Sequence, residues 1–356
     1  MKINYLIQLF LLSAIYLCFI IPLSNQLLNH CNDYQKKVND QVEILDVESR
    51  LISGKEWAYA LSNEQNNETI DFAMKTIKEA RISYNKAIRT AYNILWASLL
   101  FILLIIVLNY NGTNLFKALI GCTAVIGLIA LYVGVYAPIL EIHAYSRNLE
   151  IPLVLKLNDI LTLADLSLED LSNWINNDFN NNIQSYLKDF SLFGLKIPDL
   201  NLDLNFNLAS YFEEKDYSID LTAKFYGDIY YYYQSKSAMS LIGSLFSQNN
   251  FVVGIALLTF SVIIPIIKML MTVLITFFKS FSNKIGLITI INFIGKWSMA
   301  DVFVAACFLS FLSFNNMSNQ IETESQTLIG LYFFLSYVVI SLVASTLMNI
   351  QLKKIN

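Results

Sequence analysis

The sequence predicts a polytopic α-helical membrane protein of six spans, with an extracytoplasmic helical hairpin and a small α+β ectodomain. Three observations lead there. Of the 356 residues 55% are hydrophobic and 15% charged, and the mean hydropathy is +0.49, so the chain carries apolar surface that needs lipid to cover it. Six stretches reach the ~20 apolar residues that a spanning helix needs, because lipid leaves every backbone polar group to be satisfied inside the segment. Two long polar segments separate them, the first with helical and the second with alternating periodicity.

The spans run approximately from Tyr5 to Leu27, Tyr92 to Tyr110, Leu115 to Leu140, Phe251 to Phe277, Ile290 to Phe314 and Leu328 to Ile350. The first exceeds a signal h-region and lacks a small-x-small cleavage site, so residues 1–28 read as an uncleaved signal anchor. The remaining divisions are a hairpin at 29–91, a second span at 92–110, a third at 115–140, an ectodomain at 141–250, and three closing spans at 251–350. Lys2, Lys117, Lys279, Lys284, Lys353 and Lys354 fall on one side of the membrane. The short loop between the last two spans has Glu322 and Glu324 and no basic residue, which puts it opposite. Both termini are therefore expected in the cytoplasm and both long segments outside it.

In the first long segment, Val38, Val42, Leu45 and Ile52 form one apolar stripe. Ile70, Met74, Ile77, Tyr84 and Ile88 form a second, with a polar turn at 62–67 between them. The second long segment changes period. Leu149, Ile151, Leu153, Leu155 and Leu157 alternate with other residues, as do Leu200, Leu202, Leu204, Phe206 and Leu208, the pattern of half-buried strands. A third strand is expected from Ser218 to Ile229, and a helix from Ser167 to Asp189. The apolar sheet face reads as the ectodomain's own core, or as a surface for lipid tails or a partner.

Several classes fall away. A net charge of -4 without a dense basic run gives nucleic acid no electrostatic footprint. Cys18, Cys31, Cys122 and Cys307 make no C-x-x-C pair, which excludes a zinc ribbon, and neither a metal nor a cofactor is expected. With His30 and His143 the only histidines, no nucleophile, base and orienting group assemble from spacing, so the chain is not expected to be an enzyme. It has no phosphate-binding glycine-rich loop to make ATP a direct energy source.

Ionisable residues inside a span are costly and mark function. Ser261, Pro265, Lys268 and Thr272 follow one another at helical spacing in the fourth span, a polar stripe on an apolar rod. Pro265 also frees a carbonyl near Ser261. The fifth span opens with Lys296, Trp297, Ser298, Met299, Ala300 and Asp301, where Ser298 and Asp301 share a face. Lys268 and Asp301 are expected to pair; the alternatives are snorkelling for Lys268 and an interfacial charge for Asp301. In the sixth span Tyr337, Ser341, Ser345 and Asn349 recur every four residues, and Gly127, Ala130 and Gly134 form a small-residue stripe in the third.

Three stretches resemble the paraquat-inducible protein A family of bacterial inner-membrane proteins. These are Gly134-Val135-Tyr136-Ala137-Pro138, Phe260 to Lys268, and Gly295 to Phe303. Gln234 to Ser237 and Gly330 to Phe334 add to the likeness, which covers residues 115–350. The resemblance implies a four-helix membrane unit acting with periplasmic mammalian-cell-entry proteins to move phospholipids between envelope membranes. It places Lys268, Ser298 and Asp301 on motif positions. The chain departs from the family in lacking zinc ribbons and a second tandem unit. A lipid-transport component of the bacterial inner membrane is thus the leading expectation. Its rival is a membrane scaffold or sensor acting through its extracytoplasmic domains, although the cytoplasmic pieces at 111–114, 278–289 and 351–356 are too short to fold a signalling domain.

Overall fold

The computed structural model describes residues 2–62, 68–109, 115–156, 191–192, 195–196, 218–277, 306, 318–319 and 321–355. Among them, five helices are long and apolar enough to cross a membrane. They are α1 (Lys2–Ile44), α4 (Glu68–Asn109), α5 (Leu115–Tyr136), α7 (Phe251–Phe277) and α8 (Ile329–Ile355). The expected span from Ile290 to Phe314 lies outside the described residues. Short helices α2 (Val47–Leu51) and α3 (Gly54–Ser62) follow α1, and α6 (Ala238–Ser247) precedes α7. The strands are β1 (Pro138–Lys156), β2 (Ser191–Leu192), β3 (Leu195–Lys196), β4 (Ser218–Ser237), β5 (Ser318–Asn319) and β6 (Ile321–Thr327).

The chain forms two compact units. One holds Met1–Ser53, Asn66–Arg147 and Gly227–Asn356, and the other Gly54–Gln65 and Asn148–Tyr226. In the smaller unit Trp57 meets Phe225 edge to face at 5.1 Å and Lys224 pairs with Glu150 at 3.1 Å. The antiparallel β2–β3 pair belongs there as well. The expected helix from Ser167 to Asp189 and the strand from Leu200 to Leu208 lie outside the described residues.

In the larger unit, the expected hairpin and the first two spans are continuous rods. At about 1.5 Å per residue, α1 and α4 are each roughly 65 Å long. Ile20, Ser24, Leu27, Cys31, Tyr34 and Val38 are buried at alternating steps of four and three, a heptad seam. Ala73, Ala80, Ala87, Ile94 and Phe101, at steps of seven, answer it on α4, and the alanines let the two backbones approach closely. Two expected stripe residues are not in the seam: Ile52 is 75% and Met74 51% exposed. Ile52 lies past the end of α1, so the helical phase does not reach it, and on α4 the buried position next to Met74 is taken by Ala73.

The helix α5 is the most buried of the five and packs against α8, α4, α7 and α1. Its small residues permit this. A Cβ on Gly127 would stand 2.7 Å from Met269 Cε of α7, and one on Gly134 would stand 2.7 Å from the backbone nitrogen of Phe334 on α8. The expected third span is shorter than its apolar run, because Pro138 has no N–H to continue a helix and pushes Ala137 out of the helical region. The chain turns there directly into β1, eleven residues ahead of the alternation that begins at Leu149.

The sheet has the order β4-β1-β6-β5. Residues 321–327, read from sequence only as a loop, pair antiparallel with β1 from Leu140↔Thr327 to Tyr145↔Glu322. Likewise β4 continues well beyond Ile229, to Ser237, whose side chain caps α6 in a capping box with Ser240. The sheet sits at one end of the helices. At the other end Phe277 and Leu9 meet at Gly121, and Met348 packs with Ile120 and Ile275. The early part of α1 and the late part of α8 therefore lie on the same side of the bundle.

Candidate functional site

Two adjoining cavities stand where α4, α5, α8 and the sheet converge. The first, about 560 Å³, is an apolar groove lined by α4 (Ile88, Leu95, Ile102), α5 (Ile126, Ile129) and α8 (Ile340). Apart from tyrosines, its polar residues are Ser98 and Ser336, and both turn their hydroxyls to a carbonyl four residues back in their own helices. The second, about 690 Å³, is polar and lies against β6, lined by Thr323, Glu324, Ser325 and Gln326 and by His143 of β1. Tyr84 and Tyr332 line both, so they stand at the boundary between an apolar slot and a polar one. Tyr332 Oη lies 3.2 Å from Thr327 Oγ1 at this boundary.

Behind the polar pocket is a buried carboxylate. Glu141, three residues past Pro138 on β1, is only 1% exposed. Tyr34 Oη donates to its Oε1 at 2.7 Å, Tyr233 Oη approaches Oε2 at 3.5 Å, and His143 Nε2 lies 3.6 Å from Oε1. Aromatic rings close the cluster: Tyr34 on Tyr84 at 5.0 Å, and His143 on Tyr233 at 4.8 Å. Burial, reinforced by the Glu141 carboxylate, raises the Tyr233 phenol above its ordinary value. Tyr145 is raised by burial and by donating to Glu324 Oε1 at 2.8 Å, and Tyr230 is pushed up to about 12, chiefly by burial.

Raised phenols make stability fall on the alkaline side. The folded protein keeps protons that the unfolded chain releases above pH ~10, so this stabilisation is whole below pH ~10 and is lost as pH climbs through the folded values. Tyrosinate absorbance is accordingly expected to develop in two stages, with Tyr145, Tyr230 and Tyr233 ionising only alongside unfolding. A single early stage that includes these residues, read from Tyr→Phe variants, would contradict it. Tyr34→Phe, which leaves the buried carboxylate one donor short, should lower stability in detergent by about 1–3 kcal/mol.

The sequence-predicted stripe also takes its place. Ser261, Pro265, Lys268 and Thr272 all turn into the bundle, and Lys268 keeps 7% of its surface exposed. Upstream of the proline the helix widens into a π turn at Thr259–Ile263, where Ile264 N bonds Thr259 O. Ser261 Oγ donates to Leu257 O, and Thr272 Oγ1 to Lys268 O at 2.8 Å. Single π turns recur at functional sites because they reset the helical phase. Met269, next to Lys268, packs on Gly127 and belongs to the cluster that includes Ile340 of the groove. Lys296, Trp297, Ser298 and Asp301 lie outside the described residues.

On α8, Tyr337 and Ser341 are buried, Ser345 is half-buried and Asn349 is exposed. Steps of four residues overrun the helical repeat by about 40° each, so the third step leaves the interior face, which Ala344 and Met348 continue. Sequence reasoning did not single out Glu141, Tyr34, Tyr84, Tyr233, Glu324 or Tyr332 as site residues. The available signals were a carboxylate just beyond a span exit and the tyrosine run at 230–233.

Comparison with known proteins gives one match. Residues 228–353 match the family model for Paraquat-inducible protein A. This bears out the resemblance over the end of β4 and over α6, α7, β6 and α8, whereas Gly134 to Pro138 precede the matched region. No curated protein and no solved structure matches the chain.

Proposed function

We propose, from the paraquat-inducible protein A match over residues 228–353 of a multi-pass membrane protein, that the chain is an inner-membrane component of an envelope lipid-transport system. One observation carries this reading: an apolar groove between membrane helices adjoins a polar pocket at the sheet, with Tyr84 and Tyr332 lining both. A phospholipid has the same division, with acyl chains that need an apolar slot and a headgroup that needs hydrogen-bonding partners. A soluble metabolite has no use for the first, and a wholly apolar ligand has none for the second.

In this reading the sheet end faces the periplasm, both termini are cytoplasmic, and lipid passes between the groove and a periplasmic mammalian-cell-entry protein. The inward stripe on α7 drives or gates the movement, with Lys268 paired to Asp301 and flanked by Ser261, Pro265, Lys296, Trp297 and Ser298. The positions of Phe277 and Ser318 support a further crossing over Ile290 to Phe314. One lies at the end of the bundle away from the sheet and the other in the sheet itself.

Mild-detergent purification from cells at native expression, followed by mass spectrometry of bound lipids and proteins, tests the reading. Enriched phospholipid together with a mammalian-cell-entry protein is the expected result. Neither, beside a stable complex unrelated to lipid transport, would replace it with the scaffold reading. Lys268→Ala and Asp301→Ala should each abolish most transport, and the double variant should be no worse than either. Strictly additive losses would rule out coupling.

A further inference from the structure

The polar pocket has a charged lining residue, which the groove does not. Among the described residues, those lining it include one carboxylate, Glu324, and neither a lysine nor an arginine. Glu324 is exposed and accepts a bond from Tyr145. A carboxylate accepts up to about four hydrogen bonds, so capacity for a donor remains. Around it stand Glu141 behind His143, Glu322 one turn of the strand pleat away, and Asp228. Against these carboxylates the described neighbourhood sets a single arginine, Arg147, held by Asp228 at 3.3 Å, Glu322 at 3.7 Å and the Tyr145 hydroxyl at 2.9 Å.

We infer that the site takes a phospholipid whose headgroup carries an ammonium, with the ammonium at Glu324 and the phosphate at the hydroxyls of Tyr84, Tyr332 and Thr327. The inference rests on the lipid reading above and adds the headgroup class to it. A phospholipid with a neutral polyol headgroup has only its phosphate charge, which enters a field of carboxylates without a compensating cation. Like charges brought together repel, so such a lipid is discriminated against while its acyl chains fit equally well.

The test uses the full chain, purified and delipidated, in micelles containing equal amounts of dioleoyl phosphatidylethanolamine and dioleoyl phosphatidylglycerol. Retained lipid is counted by mass spectrometry. The wild type is expected to enrich the ethanolamine lipid about tenfold, equivalent to ~1.4 kcal/mol. Glu324→Gln should bring the ratio near one while total lipid holds, because the exposed side chain supports no core. Ser336→Trp, placed in the groove, should lower total lipid without inverting the ratio of what remains. Equal uptake of both lipids by the wild type, or enrichment that survives Glu324→Gln, overturns the headgroup assignment. In either case a loss of total lipid in Ser336→Trp leaves the lipid reading standing. No retention of either lipid by the wild type overturns both.

Discussion

Gly330→Val is expected to prevent the protein from assembling. A Cβ at Gly330 would collide with the carbonyl oxygen of Ala137 and stand 2.6 Å from that of Pro138. Neither is the tip of a side chain that can turn away. Both belong to the exit of α5, whose geometry Pro138 fixes, and the next backbone bond, Leu328 N to Ile139 O at 2.9 Å, ties the two elements together at this point. Overpacking a well-filled core costs about 1–3 kcal/mol even where side chains can shift, and backbone against backbone lies at or beyond the top of that range. Folded proteins are only marginally stable, so the variant should disappear from the monodisperse peak in fluorescence-detected size exclusion. Gly243→Ala is the control: nothing lies within 4 Å of its Cβ, and the helix α6 should gain rather than lose. A normal peak for Gly330→Val would mean that α5 and α8 do not meet as described.

The second large effect is functional. On the proposed lipid-transport reading, Ser336→Trp should strongly reduce lipid transfer while leaving the fold intact. Ser336 is exposed and lines the groove, and its own hydroxyl bond, to Tyr332 O at 2.7 Å, is a local one that the helix does not need. An indole there projects into the space of about 560 Å³ without displacing packed side chains. Transfer between donor and acceptor vesicles should fall by roughly tenfold or more, the consequence of ~1.4 kcal/mol lost per decade of affinity. The comparison is Thr346→Trp, on an exposed face of the same helix, which should be harmless. Equal activity in both tryptophan variants would remove the groove from the transport path.

What could be read from the sequence follows from how local each signal is. The spans stand out because lipid imposes a run of ~20 apolar residues, and the inward stripe through Ser261 and Lys268 because it obeys the helical period. The Glu141 cluster is different in kind. Tyr34 and Glu141 are 107 residues apart, and nothing in either neighbourhood announces the other. The strand β6 was hidden for a related reason. Its residues Glu322 to Thr327 are all polar, so no apolar alternation marks it, and only the pairing with β1 makes it a strand. In the hairpin, the alanines of α4 carry the seam, while the eye is drawn to larger residues such as Met74 that face outward. The partner chosen for Lys268 from its sequence, Asp301, lies outside the described residues, and the double-variant experiment decides that pairing.

The closure of the sheet by β6 also sets an order of events during synthesis. Strand β1 is synthesised well before its partner β6, so for about half of the chain's synthesis Leu140 to Tyr145 lack their partner on that side. An open edge of this sort is a template for pairing with another chain. Residues 321–327 thus cover this edge of β1. A chain stopped before residue 321 should therefore self-associate more than the full chain, which size exclusion of the two would show.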